Sequence, residues 1–328
     1  GRFTVKLSVK NIEIRVSIVP SEFGETTVLR LLDPSAISIA LEELGLRPDD
    51  LVIMQEELAT PNGMILNTGP TGSGKTTTLY SFLKRKQTPE IKIITIEDPI
   101  EYHLEGIEQT QVSPASGQVS SDRNYSFANG LRSILRQDPD VILIGEIRDQ
   151  ETAEIAIQAA LTGHLVFSTV HANEAAGAIP RLIDLNVKSS SIGPALNLVM
   201  AQRLVRRLCP DCKKPKEISV EIREEFNKFL TSLPLRVEKN NNFELFEAGS
   251  CDKCDNLGYK GRVGIFELLK VDERMEDLIE KQAGETEIQN FAVANGMVTM
   301  QQDGILKALH GITTLEEVEK ATGKIKKH

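Results

Sequence analysis

No apolar run in this sequence approaches the roughly 20 residues that a helix needs to cross a bilayer, and no secretory signal opens it. Cysteine is scarce. Four in 328 residues are too few for a disulfide scaffold and point to a reducing compartment. Basic charge is in deficit: lysine and arginine number 38 against 47 aspartates and glutamates, for a net charge of −9. A protein that holds nucleic acid neutralises phosphates with a basic stripe, so DNA or RNA is not expected as the main ligand, although room is left for a basic pore or pocket. Internal repeats and low-complexity tracts are missing as well. What is present is an ordinary globular balance, 40% hydrophobic and 26% charged, which excludes wholesale disorder. The length suits roughly two or three domains.

The chain enters at Gly1 directly into an alternating pattern, which reads as a piece lacking an upstream portion. Phe3, Val5, Leu7 and Val9 share one face, Lys10-Asn11 turns the chain, and Ile12, Ile14, Val16 and Ile18 follow with Glu13, Arg15 and Ser17 opposite. This period of two predicts a hairpin with one buried face. A third short strand is expected near Thr27–Leu32, closed by Asp33-Pro34, giving a β unit too small to stand alone. Residues 35–60 read as short helices. From Gly63 the short apolar runs Met64–Asn67, Ile91–Ile96, Val141–Ile144 and Leu165–Val170 alternate with the helical stretches Thr76–Arg85, Phe127–Arg136 and Asp149–Leu161. Apolar strands separated by helices predict an α/β fold with a parallel sheet covered on both faces. Residues 207–262 break the pattern with four cysteines and Asn240–Asn242, and the tail has a helical texture interrupted by glycines.

Gly69-Pro70-Thr71-Gly72-Ser73-Gly74-Lys75-Thr76 matches GxxxxGK[ST] directly after an apolar run and directly before a helical pattern, the context that makes the match specific. The glycines let backbone N–H groups curl around a β-phosphate, and the helix start adds positive dipole. Lys75 supplies charge to the β- and γ-phosphates, the Thr76 hydroxyl is a Mg²⁺ ligand, and Thr77 is counted with the loop. ATP with Mg²⁺ is the expected occupant. Val141–Ile144, Gly145 and Glu146 read as a buried strand ending in an acid that steers Mg²⁺ or its water, with Glu where most such enzymes carry Asp. A second acidic cluster, Glu97-Asp98-Pro99-Ile100-Glu101, ends the run Ile91–Ile96. Pro99 is expected to stop the strand and expose these carboxylates at the ligand edge of the sheet, with Glu97 polarising the attacking water. His164 and His171 flank one strand at opposite ends, so they form no adjacent metal pair; His171, at the C-terminal end, is within reach of a γ-phosphate, but a lone strand-end histidine is more often structural.

These boxes, in this order, closely resemble the secretion ATPase superfamily, in particular the motors of type II secretion and type IV pilus assembly. The family's names for them are Walker A, Asp box (Ile94–Tyr102), Walker B (Asp140–Asp149) and His box (Thr162–Asn173). The resemblance covers nearly the whole chain, from the opening β unit to Gly311–Glu317, and implies a RecA-like core. It makes Glu97 the catalytic acid of the Asp box, Glu146 the Walker-B acid and His171 the γ-phosphate sensor. Arg15 and Arg30 match positions where the family carries arginines that stabilise charge on the transferring phosphoryl group; a surface salt bridge is the alternative for each. Arg132 and Arg136 are candidates for an inter-subunit surface.

Cys209-Pro210-Asp211-Cys212 and Cys251-Asp252-Lys253-Cys254 are two CxxC knuckles, and four thiolates close a tetrahedral structural Zn²⁺ site. The long connector between them weakens the spacing as a diagnostic, and a redox pair is the other reading. By resemblance, secretion and pilus-assembly motors carry this element whereas retraction motors lack it. The expected boundaries are 1–34 for the C-terminal part of a β-rich domain, 35–62 for a linker with helices and 63–206 for the ATPase core. Residues 207–262 would form the zinc-binding subdomain and 263–328 a C-terminal helical region. The resemblance further implies a homo-hexamer that is cytoplasmic and peripheral at the inner membrane. There it would rotate an inner-membrane platform protein and, with accessory cytoplasmic proteins, drive pilin or pseudopilin assembly. Three rivals are a nucleic-acid-translocating or conjugative motor of the same fold, opposed by the acidic balance, a non-hydrolysing nucleotide-binding scaffold, opposed by the intact Glu97 and Glu146, and a retraction motor, opposed by the four-cysteine element.

Overall fold

The computed structural model describes residues 1–6, 11–32, 39–112, 125–240 and 242–325. Leu7, Val9, Lys10, Asp33, Pro34 and Asn241 lie outside the described residues. The alternating opening forms an antiparallel sheet of β1 (Arg2–Lys6), β2 (Asn11–Ser21) and β3 (Gly24–Leu32). Its register pairs Phe3 with Ile14, Ile14 with Leu31 and Val16 with Leu29, so the apolar side chains share one face as the period of two requires. The expectation that this face is buried is not met. Ile12 is covered, but Phe3, Ile18, Leu29 and Leu31 are 49%, 54%, 57% and 68% exposed, because the described helices pack on the central sheet instead.

That central sheet alternates with helices in chain order: α1 (Pro48–Ala59), β4 (Gly63–Thr68), α2 (Lys75–Lys86), β5 (Ile93–Glu97), β6 (Glu108–Gln111), α3 (Phe127–Ile134), β7 (Val141–Ile144), α4 (Gln150–Leu161), β8 (Leu165–Val170), α5 (Ala178–Asp184) and α6 (Ser189–Ala195). Next come the long β9 (Leu196–Leu208), then β10 (Lys214–Lys216), α7 (Val220–Ser232) and β11 (Leu245–Glu247), and the long β12 (Tyr259–Lys270). Four helices close the chain: α8 (Glu273–Glu280), α9 (Glu285–Ala294), α10 (Met300–Leu309) and α11 (Leu315–Thr322). Seven strands lie in the order β12-β9-β4-β8-β7-β5-β6. All neighbouring pairs are parallel except β12 with β9. The fold is thus α/β with a parallel-rich sheet, as the sequence pattern predicts. Strand alternation splits its core into two layers: Ile65, Phe167 and Met200 pack with α1 and α2, while Met64, Leu66 and Val166 pack with α3–α6 and the C-terminal helices.

A buried ionic cluster ties α1 to the C-terminal region. Arg47, the N-cap of α1, pairs with Asp50 at 2.6 Å and with the fully buried Asp303 of α10 at 3.1 Å. Asp303 also pairs with Lys307 and accepts the Phe266 amide of β12. Arg236 closes the cluster on Asp49 and Asp50. Burial pushes Asp50 up to about 6 despite the pull of Arg47. Because the charges are desolvated, removing one partner of such a cluster costs about 3–5 kcal/mol, so α1, β12 and α10 form one rigid corner.

Candidate active site and cysteine cluster

The strand order sets four C-terminal strand ends side by side. β4 leads into the Gly69–Thr76 loop, β8 into His171, β7 into Glu146 and β5 into the Glu97–Glu101 acids. This is the edge at which open parallel sheets take ligands.

β4 is buried throughout and ends at Thr68. The Thr68 hydroxyl lies 2.9 Å from the Val170 carbonyl and 2.8 Å from that of Ala172, whose amide it also accepts. The loop then turns through Gly69, Gly72 and Gly74 with φ of 142°, 81° and 94°. Space matters as much as conformation: a Cβ on Gly69 would come 2.4 Å from the Gln202 carbonyl oxygen, and one on Gly74 2.9 Å from Gln202 Nε2. Helix α2 starts at Lys75 with Gly74 as its cap, leaving its first amides open toward the loop, as phosphate binding requires. Ser73 Oγ is buried and has no hydrogen-bond partner among the described residues, a polar atom left available inside the loop. The Lys75 ammonium donates to the carbonyls of Gly69 (2.7 Å) and Pro70 (3.2 Å). Burial lowers its pKa, while the charges of Glu146 and Glu101 oppose that shift. Both acids therefore lie within electrostatic reach of Lys75.

Gln202 of β9 forms the floor of the loop. Its Oε1 accepts Thr78 Oγ1 at 2.9 Å and Asn67 Nδ2 at 3.2 Å. No local signal marks this glutamine in the sequence, because its role exists only once β9 lies beside β4.

Glu146 follows β7 with only 13% of its side chain exposed. His171 Nε2 lies 3.4 Å from Glu146 Oε2, so strand order brings these two predicted residues together. Arg148, missed in the sequence, pairs closely with Glu146 Oε1 and lies 3.8 Å from Asp98. Glu97 departs from expectation. It is 4% exposed, and its carboxylate accepts Tyr80 OH at 2.5 Å, Thr95 Oγ1 at 2.7 Å and Gln109 Nε2 at 3.1 Å. Alternation along β5 is the reason: Ile93, Thr95 and Glu97 share the face that meets α2. Burial and the Glu97 charge push the Tyr80 phenol upward, which keeps it a donor. Beyond the turn, Asp98 is exposed and Glu101 half-buried, so the accessible carboxylates of this cluster are those two.

Arg15 Nη2 donates to the Ile100 carbonyl at 2.7 Å, which places β2 against the turn that bears Glu101. Arg30 stands directly across from Arg15. Like charges opposite one another are unfavourable without an anion between them. Elsewhere, His164 Nδ1 lies 3.0 Å from the Ala159 carbonyl at the far strand end. Arg132 pairs with Glu151, and Arg136 donates to Ser133 Oγ.

The four cysteines converge, all Sγ atoms lying within 4.8 Å of one another. The separations of 3.8 Å (Cys209–Cys251), 3.7 Å (Cys212–Cys254) and 3.6 Å (Cys251–Cys254) match the edge of about 3.8 Å that a Zn–S bond of about 2.3 Å gives a tetrahedron. The cluster is compatible with zinc. The long connector is occupied by β10, α7 and β11, with β10 and β11 paired, which explains a spacing that looked undiagnostic.

Residues 1–320 match the family model described as type II/IV secretion system protein. The chain is similar to the type II secretion system ATPase E of Vibrio cholerae serotype O1, with 45% identity over 322 residues, covering 98% of the chain and 61% of that protein. It is also 44% identical to the type IV pilus assembly ATPase PilB of Thermus thermophilus over 97% of its own length and 34% of the other's. Among solved structures, the pilus retraction motor PilT with bound ADP superposes with a TM-score of 0.65 at 28% identity, covering 99% of this chain and 78% of that one. On the family match and this geometry, the chain belongs to the type II/IV secretion system protein family.

Proposed function

We propose that the chain is the ATP-hydrolysing part of a motor that drives assembly of pilin or pseudopilin subunits. The observation that carries this reading is the meeting, at one sheet edge, of the Lys75 loop, Glu146 with His171, and the Glu101 turn held by Arg15. A triphosphate on the N-terminus of α2 would be gripped by the loop amides and by Lys75, leaving its terminal phosphate toward Glu146, His171 and Glu101. Mg²⁺ held by Thr76 and Glu146 would offset charge on the β- and γ-oxygens. Glu101 is the better-placed acid to orient water, and Glu97 would hold the end of β5 against α2. Arg15 and Arg30 would supply positive charge when the N-terminal sheet closes over the nucleotide.

The chain spans 61% of the Vibrio cholerae relative, so the substrates and partners of a whole motor belong to this proposal. The names of the relatives support secretion or pilus assembly, and the four-cysteine cluster fits those motors rather than retraction. In this reading the working form is a homo-hexamer on the cytoplasmic face of the inner membrane. It would be held there by a platform protein and accessory proteins, since no described helix is long and apolar enough to cross a membrane.

Phosphate release from ATP is expected to require Mg²⁺. Nucleotide binding without release would favour the scaffold reading, and strong stimulation by DNA the translocase. Metal analysis is expected to give about one zinc per chain, held by Cys209, Cys212, Cys251 and Cys254; less than half an equivalent would remove zinc from the proposal.

A further inference from the structure

The loop that carries His171 is anchored at two points. Its Ala172 amide donates to Thr68 Oγ1 at the end of β4, and its Ala175 amide donates to Glu267 Oε1 at 3.0 Å. Glu267 belongs to β12 and is 2% exposed. Its second oxygen accepts the Met300 amide, the first residue of α10, at 3.2 Å and Gln289 Nε2 of α9 at 3.3 Å. One buried carboxylate thus joins the His171 loop to two C-terminal helices. The loop also runs close to α9, where a Cβ on Gly177 would lie 2.7 Å from Glu285 Oε1.

Burial raises the pKa of Glu267, and its hydrogen bonds from Ala175, Met300 and Gln289 oppose that shift by favouring the carboxylate. Each of these three groups is a donor, and a carboxylate is a pure acceptor on both oxygens. A glutamine has the same shape but one oxygen. In one flip its NH₂ meets the Ala175 N–H; in the other it meets the Met300 N–H. Either way one of the two links is lost and a buried donor is left unpaired.

We propose that Glu267 is a positioning residue that couples the His171 loop to α9 and α10, so that occupancy of the phosphate site is transmitted to the C-terminal helices. This rests on the nucleotide-site reading above. When the loop settles against a terminal phosphate, the Ala175 amide moves relative to the carboxylate, and the Gln289 and Met300 contacts readjust with it. The coupling is a free-energy link between two places through one two-sided contact, and it acts in both directions.

Hydrogen exchange with and without a non-hydrolysable ATP analogue and Mg²⁺ tests the proposal. In the unaltered protein the analogue is expected to slow exchange in residues 69–76 and, by at least about fivefold, in α9 and the first turn of α10. In Glu267→Gln the analogue at saturation still protects residues 69–76, but the response in α9 and α10 is lost. A merely structural role would speed exchange there in both states and leave the nucleotide-dependent difference intact, which would overturn the proposal. So would an unaltered protein that protects residues 69–76 with no response in α9 or α10. Absence of protection at 69–76 would instead refute the nucleotide site, and the coupling with it. Should Glu267→Gln fail to fold, Met300→Pro removes one amide donor at a first helical position, where proline fits and where the preceding Thr299 is already extended. It is expected to abolish the α10 response alone, and its retention would count against the coupling.

Discussion

Lys75→Ala is expected to lower ATP turnover about 10²–10³-fold, the usual loss when one fixed donor to developing charge is removed, and to weaken nucleotide binding together with it. The ammonium lies on the Gly69 and Pro70 carbonyls, inside the turn of the loop, where charge-assisted bonds to phosphate oxygens are strong. Because Glu146 and Glu101 also act on this charge, the alanine variant removes a cation that offsets these two acids as well as the polyanion, leaving Arg148 beside Glu146. Titration with a fluorescent ATP analogue alongside phosphate release is the measurement. Unchanged affinity would mean that the triphosphate is not bound by this loop.

The second large effect separates two acids of one cluster. Glu101→Gln is expected to keep ATP affinity and slow hydrolysis about 10²–10⁴-fold, the range for a positioned base. Glu97→Gln is expected to act on stability first. Its NH₂ takes the place of an oxygen to which either Tyr80, or Thr95 and Gln109, now donate, so a buried O–H or N–H loses its acceptor, which costs about 1–3 kcal/mol. Thermal melting and single-turnover hydrolysis of the two variants decide the matter. A Glu97 variant that melts normally yet hydrolyses slowly would return the water-orienting role to Glu97.

That distinction was not legible in the sequence. Glu97 follows an apolar run and precedes Asp98-Pro99, which reads as an exposed strand end, but its donors come from residues 80 and 109, brought in by α2 and β6. Val141–Ile144 and Leu165–Val170 were readable to the residue because interior parallel strands must be apolar on both faces. β9 and β12 escaped for the opposite reason. Each runs from the buried sheet into solvent, so Arg203, Arg206 and Arg207 interrupt one and Lys260, Gly261 and Arg262 the other, and neither shows a clean period. Gln202 and Glu267 were hidden with them, since their contacts lie 135 and 92 residues away in Asn67 and Ala175. The phosphate loop and the cysteine knuckles, by contrast, are local motifs whose geometry is written in consecutive residues.

β9 and β12 stay paired from Leu198 with Lys270 to Arg206 with Arg262, the register then shifts before the Leu208–Tyr259 pair, and Cys209 follows directly on that outer end. The thiol cluster and the glutamine under the Gly69–Thr76 loop are therefore carried at two places on one strand, β9. Because Gly69 and Gly74 leave no room for a Cβ beside Gln202, a side chain added at either glycine would press on the same strand that leads into Cys209.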